Sequence, residues 1–172
     1  MGKIGLAVVS PAPLITPNYV VNFAKKCEAM GADSMWTIDR VAYDNLEPLT
    51  MLAAAAGATQ RIRLGTSVLL GNLRHPSHLA KIVATLDFIS NGRMTLGLGF
   101  GSRESDYKAV EVPFDKRGSR AVEQVNLIKR LWTEENVTHS GRFYNIENLT
   151  MGPEPIQKPI PIWTGGSAEV AL

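Results

Sequence analysis

"RMTLGLGFGSRES", residues 93–105, decides the fold. Its first half is an apolar run of strand length, and its second half carries glycine at 97, 99 and 101. A doubly wound dinucleotide-binding sheet would place G-x-G-x-x-G after its first strand, opening a helix. Here the spacing is G-x-G-x-G. The segment that follows, "SRESDYKAVEVPFDKRG" (102–118), does not open directly into a small-residue helix. "SPAPLITP" (10–17), behind the first apolar run, has no glycine at all. The glycines therefore argue for a (β/α) barrel rather than an open sheet.

Three earlier runs repeat the pattern: "KIGLAVVS" (3–10), "ADSMWTID" (32–39) and "IRLGTSVLL" (62–70). Near-continuous apolar runs of this length suit parallel strands covered on both faces. Helical stripes lie between them. Val20, Phe23, Ala24, Cys27 and Met30 share one face over 18–30, and Leu49, Leu52, Ala53 and Ala56 another over 47–56. Leu79, Ile82, Val83, Leu86 and Ile89 align over 77–90, and Val122, Val125, Ile128 and Trp132 over 118–132. Pro17, Pro48 and Pro76 are predicted at first helical positions, where no N–H donor is needed. Gly31 and Asn91-Gly92 read as helix stops. The unit length is roughly 30 residues, that of a βαβ repeat. After the fourth helix, "VTHSGRFYNI" (137–146) predicts a hairpin turning at Ser140-Gly141, and a connector reaches to 158 before the fifth strand, "PIWTG" (161–165). The expectation is a single α/β domain over 1–172, built as about five βα units of a TIM barrel with a small hairpin insertion before strand five.

In such folds the working residues stand at the carboxyl ends of the strands. The strand bodies are almost purely apolar, whereas polar residues and glycines gather at those ends. Strand one offers Ser10; strand two, Asp39 and Arg40; strand three, Thr66 and Ser67, then Arg74-His75. Strand four offers Gly97, Gly99, Gly101 and Ser102, with Glu104 just beyond. Strand five offers Thr164, Gly165, Gly166 and Ser167, a glycine turn before a helix start that could seat a phosphate. Asp39 could equally pair with Arg40 and serve only the loop. The three tryptophans read as packing residues. His75 and His78 have no acidic residue at ligand spacing, and His75 falls where a helix cap belongs, so no metal site is expected. His139 is expected to be exposed.

Charge excludes some partners. A net charge of +2 with scattered Lys and Arg gives no basic stripe for nucleic acid. No apolar run is long enough to cross a bilayer. The one cysteine, Cys27, cannot form an internal disulfide and reads as a small core residue, so a reducing cytoplasmic setting is expected.

The stretch "LEPLTMLAAAAGATQRIRLGTSVLLGNLRHPSHLAKIVATLDFISNGRMTLGLGFG" (46–101) resembles the luciferase-like monooxygenase family of flavin- and deazaflavin-dependent oxidoreductases. "VPFDKRGSRAVEQVNLIKRLWT", "GRFYNI" and "PIPIWTGGS" resemble its fourth helix, inserted hairpin and fifth strand. The resemblance implies a TIM barrel that binds FMN or coenzyme F420 at its carboxyl end. Chemistry of two kinds is implied: oxygenation of a small organic substrate through a peroxyflavin, or F420-dependent hydride transfer. Asp39, Thr66, Ser67, Val68, Gly99, Gly101, Gly165, Gly166 and Ser167 are the implied cofactor residues. Among them, Ser67-Val68 matches a non-prolyl cis peptide behind the ring, and Gly165 to Ser167 match the ribityl-phosphate seat. Two positions depart from the family pattern. Arg40 stands where many members have His, and Ser102 where the sugar-phosphate dehydrogenases have Glu. Arg40 could stabilise a reduced, anionic flavin, yet a guanidinium is a poor proton donor. Glu104 is the substitute acid.

Measured against the family, the chain stops at the start of helix five, which predicts a partial barrel. A second expectation follows: a non-catalytic fragment whose two sheet edges drive self-association into a homo-oligomer. An aldolase or metal hydrolase ranks last, because no Lys ends a strand and no His-x-His follows strand one.

Overall fold

The computed structural model describes residues 3–8 and 15–165. Ser10, Gly166 and Ser167 lie outside those residues. The elements are β1 (Gly5–Val8), α1 (Tyr19–Ala29), β2 (Ser34–Thr37), α2 (Pro48–Ala58), β3 (Arg63–Thr66), β4 (Leu69–Leu70), α3 (Pro76–Ile89), β5 (Met94–Gly99), α4 (Glu104–Lys108), α5 (Arg117–Thr133), β6 (Val137–Ser140), β7 (Asn145–Leu149) and β8 (Ile162–Thr164).

One parallel sheet runs β1-β2-β3-β5, with β8 on the far side of β5. The predicted third strand is broken. Its first piece, β3, pairs with Met94 and Thr95 at the start of β5; its second, β4, pairs with Leu98 and Gly99 at the end. Ser67-Val68 lies between the pieces, and its peptide bond is cis. All six residues of β5 are buried, as expected for a strand covered on both faces.

The helices follow from their ends. Glu47 caps α2, accepting from Thr50 N–H at 2.6 Å, and His75 Nδ1 caps α3, accepting from Ser77 N–H at 3.3 Å. Pro48 and Pro76 open these helices, as the sequence predicts. Pro17 does not open α1. It occupies a turn closed by Tyr19 N–H on Thr16 O at 2.9 Å, and the helix begins at Tyr19. Met30, predicted on the buried stripe, is 72% exposed, because α1 ends at Ala29 and the chain turns there. Val122 is likewise exposed on α5. Cys27 is buried beside Val20 and Ala24.

The core packs Leu52, Leu79, Val83 and Ile128 from the helices on Leu64, Met94 and Leu96 from the sheet. Trp132 N–H donates to Ala80 O at 3.0 Å and fastens α5 to α3. Trp36 and Trp163 depart from the packing expectation: they stack on each other at 5.0 Å, and Trp163 is 59% exposed. Trp36 lies over Gly5 and Gly65, where any side chain would strike its ring.

β6 and β7 form the predicted hairpin, paired at Ser140 and Asn145 and turning over Gly141–Tyr144, wider than expected. Glu123 of α5 holds the tip, accepting from Phe143 and Tyr144 N–H groups at 3.2 and 3.0 Å. His139 is not exposed as expected; it packs half-buried against Glu123 at 3.1 Å.

Candidate active site

The parallel strands bring their carboxyl ends to one rim. Asp39, Arg40, Ser67, Val68, Gly99, Gly101 and Gly165, from four different strand ends, line one hollow of about 750 Å³. Its apolar wall is Ile38, Leu70 and Phe100. Val68 also borders a second hollow of about 330 Å³ inside the open barrel, lined by Trp36 and Trp163.

Two expected site residues fall elsewhere. Glu104 does not line the hollow. It points outward on the first turn of α4, pairs with Lys108 at 3.3 Å, and its side chain is 60% exposed. That position gives it no access to a ligand on the rim. Thr66 borders the inner hollow instead, and its hydroxyl is spent on the sheet, donating to Gly97 O at 2.7 Å and accepting from Gly97 N–H at 3.0 Å.

Asp39 and Arg40 do not pair with each other. Asp39, buried, accepts from Arg74 Nη1 at 2.6 Å and from Leu70 N–H at 2.9 Å, tying β2 to the loop behind β4. Arg74 reaches Glu47 as well, at 3.0 Å; burial opposes its charge, but the Asp39 contacts outweigh that and raise its pKa. Arg40 Nε donates instead to Asp106 Oδ2 at 2.7 Å, while Asp106 Oδ1 accepts from Val41 and Ala42 N–H groups at 2.9 and 2.8 Å. Burial would raise the Asp106 pKa, yet the Ala42, Arg40 and Val41 donors outweigh it and hold the carboxyl below its ordinary value. Arg40 is therefore a cation fixed at the rim by a residue of α4.

The glycines are required by the protein's own packing. A side chain at Gly99 would enter Val68, and one at Gly101, where φ is +69°, would press on Leu70 at 3.1 Å. Tyr107 braces the same wall: its hydroxyl donates to Phe100 O and accepts from Asn72 Nδ2 at 3.2 Å. Burial raises its pKa, so the phenol stays protonated.

Sequence reasoning missed Asp106, Arg103, Arg117 and Tyr43, all of which line the hollow. Asp106 lies within, and Arg103 just before, a five-residue helix too short to show periodicity. Arg117 stands at the start of α5 and reaches back to Gly101 O at 3.2 Å.

A parallel strand–helix repeat with a glycine-bordered hollow at its carboxyl rim defines an α/β-barrel architecture with a candidate ligand site at that rim. The luciferase-like monooxygenase model matches residues 2–172, and the chain belongs to that family. It is 37% identical over 168 residues to an F420-dependent glucose-6-phosphate dehydrogenase of Kineococcus radiotolerans, covering 92% of this chain and 49% of that protein. A protein of the same description from Amycolatopsis mediterranei is 32% identical over 164 residues, with 90% and 49% covered. Among solved structures, monooxygenase RslO1 from Streptomyces bottropensis superposes with a TM-score of 0.86 at 31% identity, covering 94% of this chain and 52% of that one. The chain thus spans about half the length of these relatives, and its fold is a partial TIM barrel.

Proposed function

We propose that this chain forms the cofactor-holding part of a flavin- or F420-dependent oxidoreductase acting on a small organic molecule. One observation carries the reading: seven rim residues from four strand ends converge on a single hollow. The residues fit a planar redox ring. Val68 supplies an apolar face, and glycines at 99 and 101 let Val68 and Leu70 pack against the end of β5 at the hollow's edge. The backbone at Gly165 directly follows β8 beside Val68, where a phosphate-bearing tail can leave the ring.

A bound flavin or deazaflavin supplies the electron transfer, and the protein binds, orients and shields it. Arg40, anchored through Nε to Asp106, would offer its remaining guanidinium N–H groups to a bound ring and favour a form with negative charge. Asp39, neutralised by Arg74, keeps the β2 end in register with the β4 loop. Similarity to F420-dependent dehydrogenases at 37% and 32% identity supports the hydride-transfer version; similarity to a monooxygenase at 31% supports the oxygenating one. Titrating the protein with FMN and with F420 by fluorescence decides between them. Absence of binding by both refutes the reading.

A second reading rests on the sheet edges. β1 and β8 are the outer strands among the described residues, and Trp163 of β8 is largely exposed. A homo-oligomer pairing these faces would show a mass by light scattering that rises with concentration. A constant monomer mass would refute it.

A further inference from the structure

The charges around the rim hollow do not cancel. Of its two carboxylates, Asp39 is taken by Arg74 and Asp106 by Arg40. Arg103 and Arg117 line the same hollow, and among the described residues neither has a carboxylate partner. Arg117 is braced from behind. Its Nε donates to Gly101 O at 3.2 Å, and its guanidinium lies over the Phe114 ring at 4.1 Å. That bracing leaves both Nη groups as donors, held at low entropic cost. Ser102 adds a hydroxyl to the same wall.

The location separates this wall from the Gly165 end. α4 carries Asp106 back from the end of β5 to the loop behind β2, where it meets Arg40, Val41 and Ala42. Arg103 directly precedes α4, and the Arg117 carbonyl accepts from Asn72 Nδ2 at 2.7 Å behind β4, so Arg117 stands on the β4 side of β5. Gly165 directly follows β8, on the opposite side of β5.

We infer that Arg103 and Arg117 form a seat for an oxyanion group, phosphate or carboxylate, on the substrate, so that the enzyme acts on an anionic organic molecule. The inference rests on the cofactor reading of the hollow, which assigns the Gly165 end to the cofactor's tail. Planar guanidinium forks match a phosphate or carboxylate in two parallel hydrogen bonds. The cofactor's own phosphate shares this chemistry, so the test must tell the two apart.

Inorganic phosphate is titrated by calorimetry into the wild-type protein and into Arg103→Gln and Arg117→Lys, at constant ionic strength. Arg103 is exposed, so Gln fits there, and Lys at 117 keeps the charge while removing the fork. FMN and riboflavin, which differ by the phosphate, are titrated in parallel. Phosphate binding to the wild type, weakened about tenfold by each substitution, with the FMN-over-riboflavin preference unchanged, is the expected result. Phosphate affinity indifferent to both substitutions overturns the inference. So does a collapse of the FMN preference in Arg103→Gln, because the wall would then hold the cofactor's tail. If neither FMN nor F420 binds but phosphate binding still depends on both arginines, the seat stands and the cofactor reading falls.

Discussion

Replacing Arg93 tests how the end of α2 is tied to the turn before β5. Arg93 precedes β5, is 8% exposed, and spends its guanidinium on carbonyls. Nε donates to Ser90 O at 2.5 Å; Nη1 to Ile62 O and Thr59 Oγ1, both at 2.9 Å; Nη2 to Ala56 O and Thr59 O, both at 3.0 Å. Ala56 O lies in the last turn of α2 and Thr59 O at its C-cap, where a helix leaves carbonyls without intrahelical partners. The charge is desolvated, and burial pulls the Arg93 pKa down, against the opposing charge of Glu28. Arg93→Met would relieve that desolvation but strand four buried backbone carbonyls, at about 1 kcal/mol or more each. Recovery of the desolvation cost offsets part of this, leaving a loss of about 3 kcal/mol. Arg93→Lys keeps the charge but cannot span both sides of the α2 terminus, and should lose about 2 kcal/mol. Urea denaturation followed by tryptophan fluorescence reads both values, provided the slope is unchanged. An Arg93→Met protein within about 0.5 kcal/mol of wild type would show that water satisfies those carbonyls equally well.

Gly97→Ala should unfold the protein or cost about 3 kcal/mol or more, because the added methyl would overlap Thr66 O on the neighbouring strand; thermal melting measures it. Gly57→Ala, at an open position of α2, should instead raise stability by about 0.5–1 kcal/mol in the same assay. Asp106 and Glu123 both have folded pKa values below the ordinary carboxylate range, so their stabilisation is complete above that range and is lost as the pH falls through the folded values. Asp106→Asn should therefore flatten the acid limb of a stability–pH curve, and an unchanged limb would refute the assignment. Arg40→Gln should weaken binding of the reduced cofactor more than the oxidised form, by about tenfold in their ratio; equal weakening would mean that Arg40 contributes shape rather than charge.

The βα rhythm was legible because both-face burial removes polar residues from strand bodies, as in β5, and concentrates them at strand ends. The break in the third strand was not legible from periodicity. "IRLGTSVLL" reads as one apolar run, and only the family resemblance pointed to Ser67-Val68. Pro17 misled because proline suits a turn as well as a first helical position, and Thr16 O captured Tyr19 N–H first. Trp36 and Trp163 misled because lumen-facing and helix-facing positions alternate along a strand with equal apolarity.

Side-chain pairing was the least legible feature, and the site shows why. Asp39 and Arg40 are neighbours in sequence, but adjacent residues leaving a strand diverge. One meets Arg74, 35 positions on; the other meets Asp106, 66 positions on. One pair ties the β2 end to the loop behind β4 and the other to α4, so the rim is held by charges that no local pattern announces. The glycines carry a related lesson. Gly99 and Gly165 both face Val68, the latter with only 2.9 Å between a hypothetical Cβ and Val68 Cγ1. They admit the valine to the rim, and the valine in turn makes the apolar face of the hollow. A side chain at either glycine would first displace Val68, and any loss of binding would follow from that displacement rather than from a direct clash with the ligand. Truncating the valine itself, by Val68→Ala, would remove the face while leaving both glycines undisturbed, so ligand affinity should fall with little change in melting temperature.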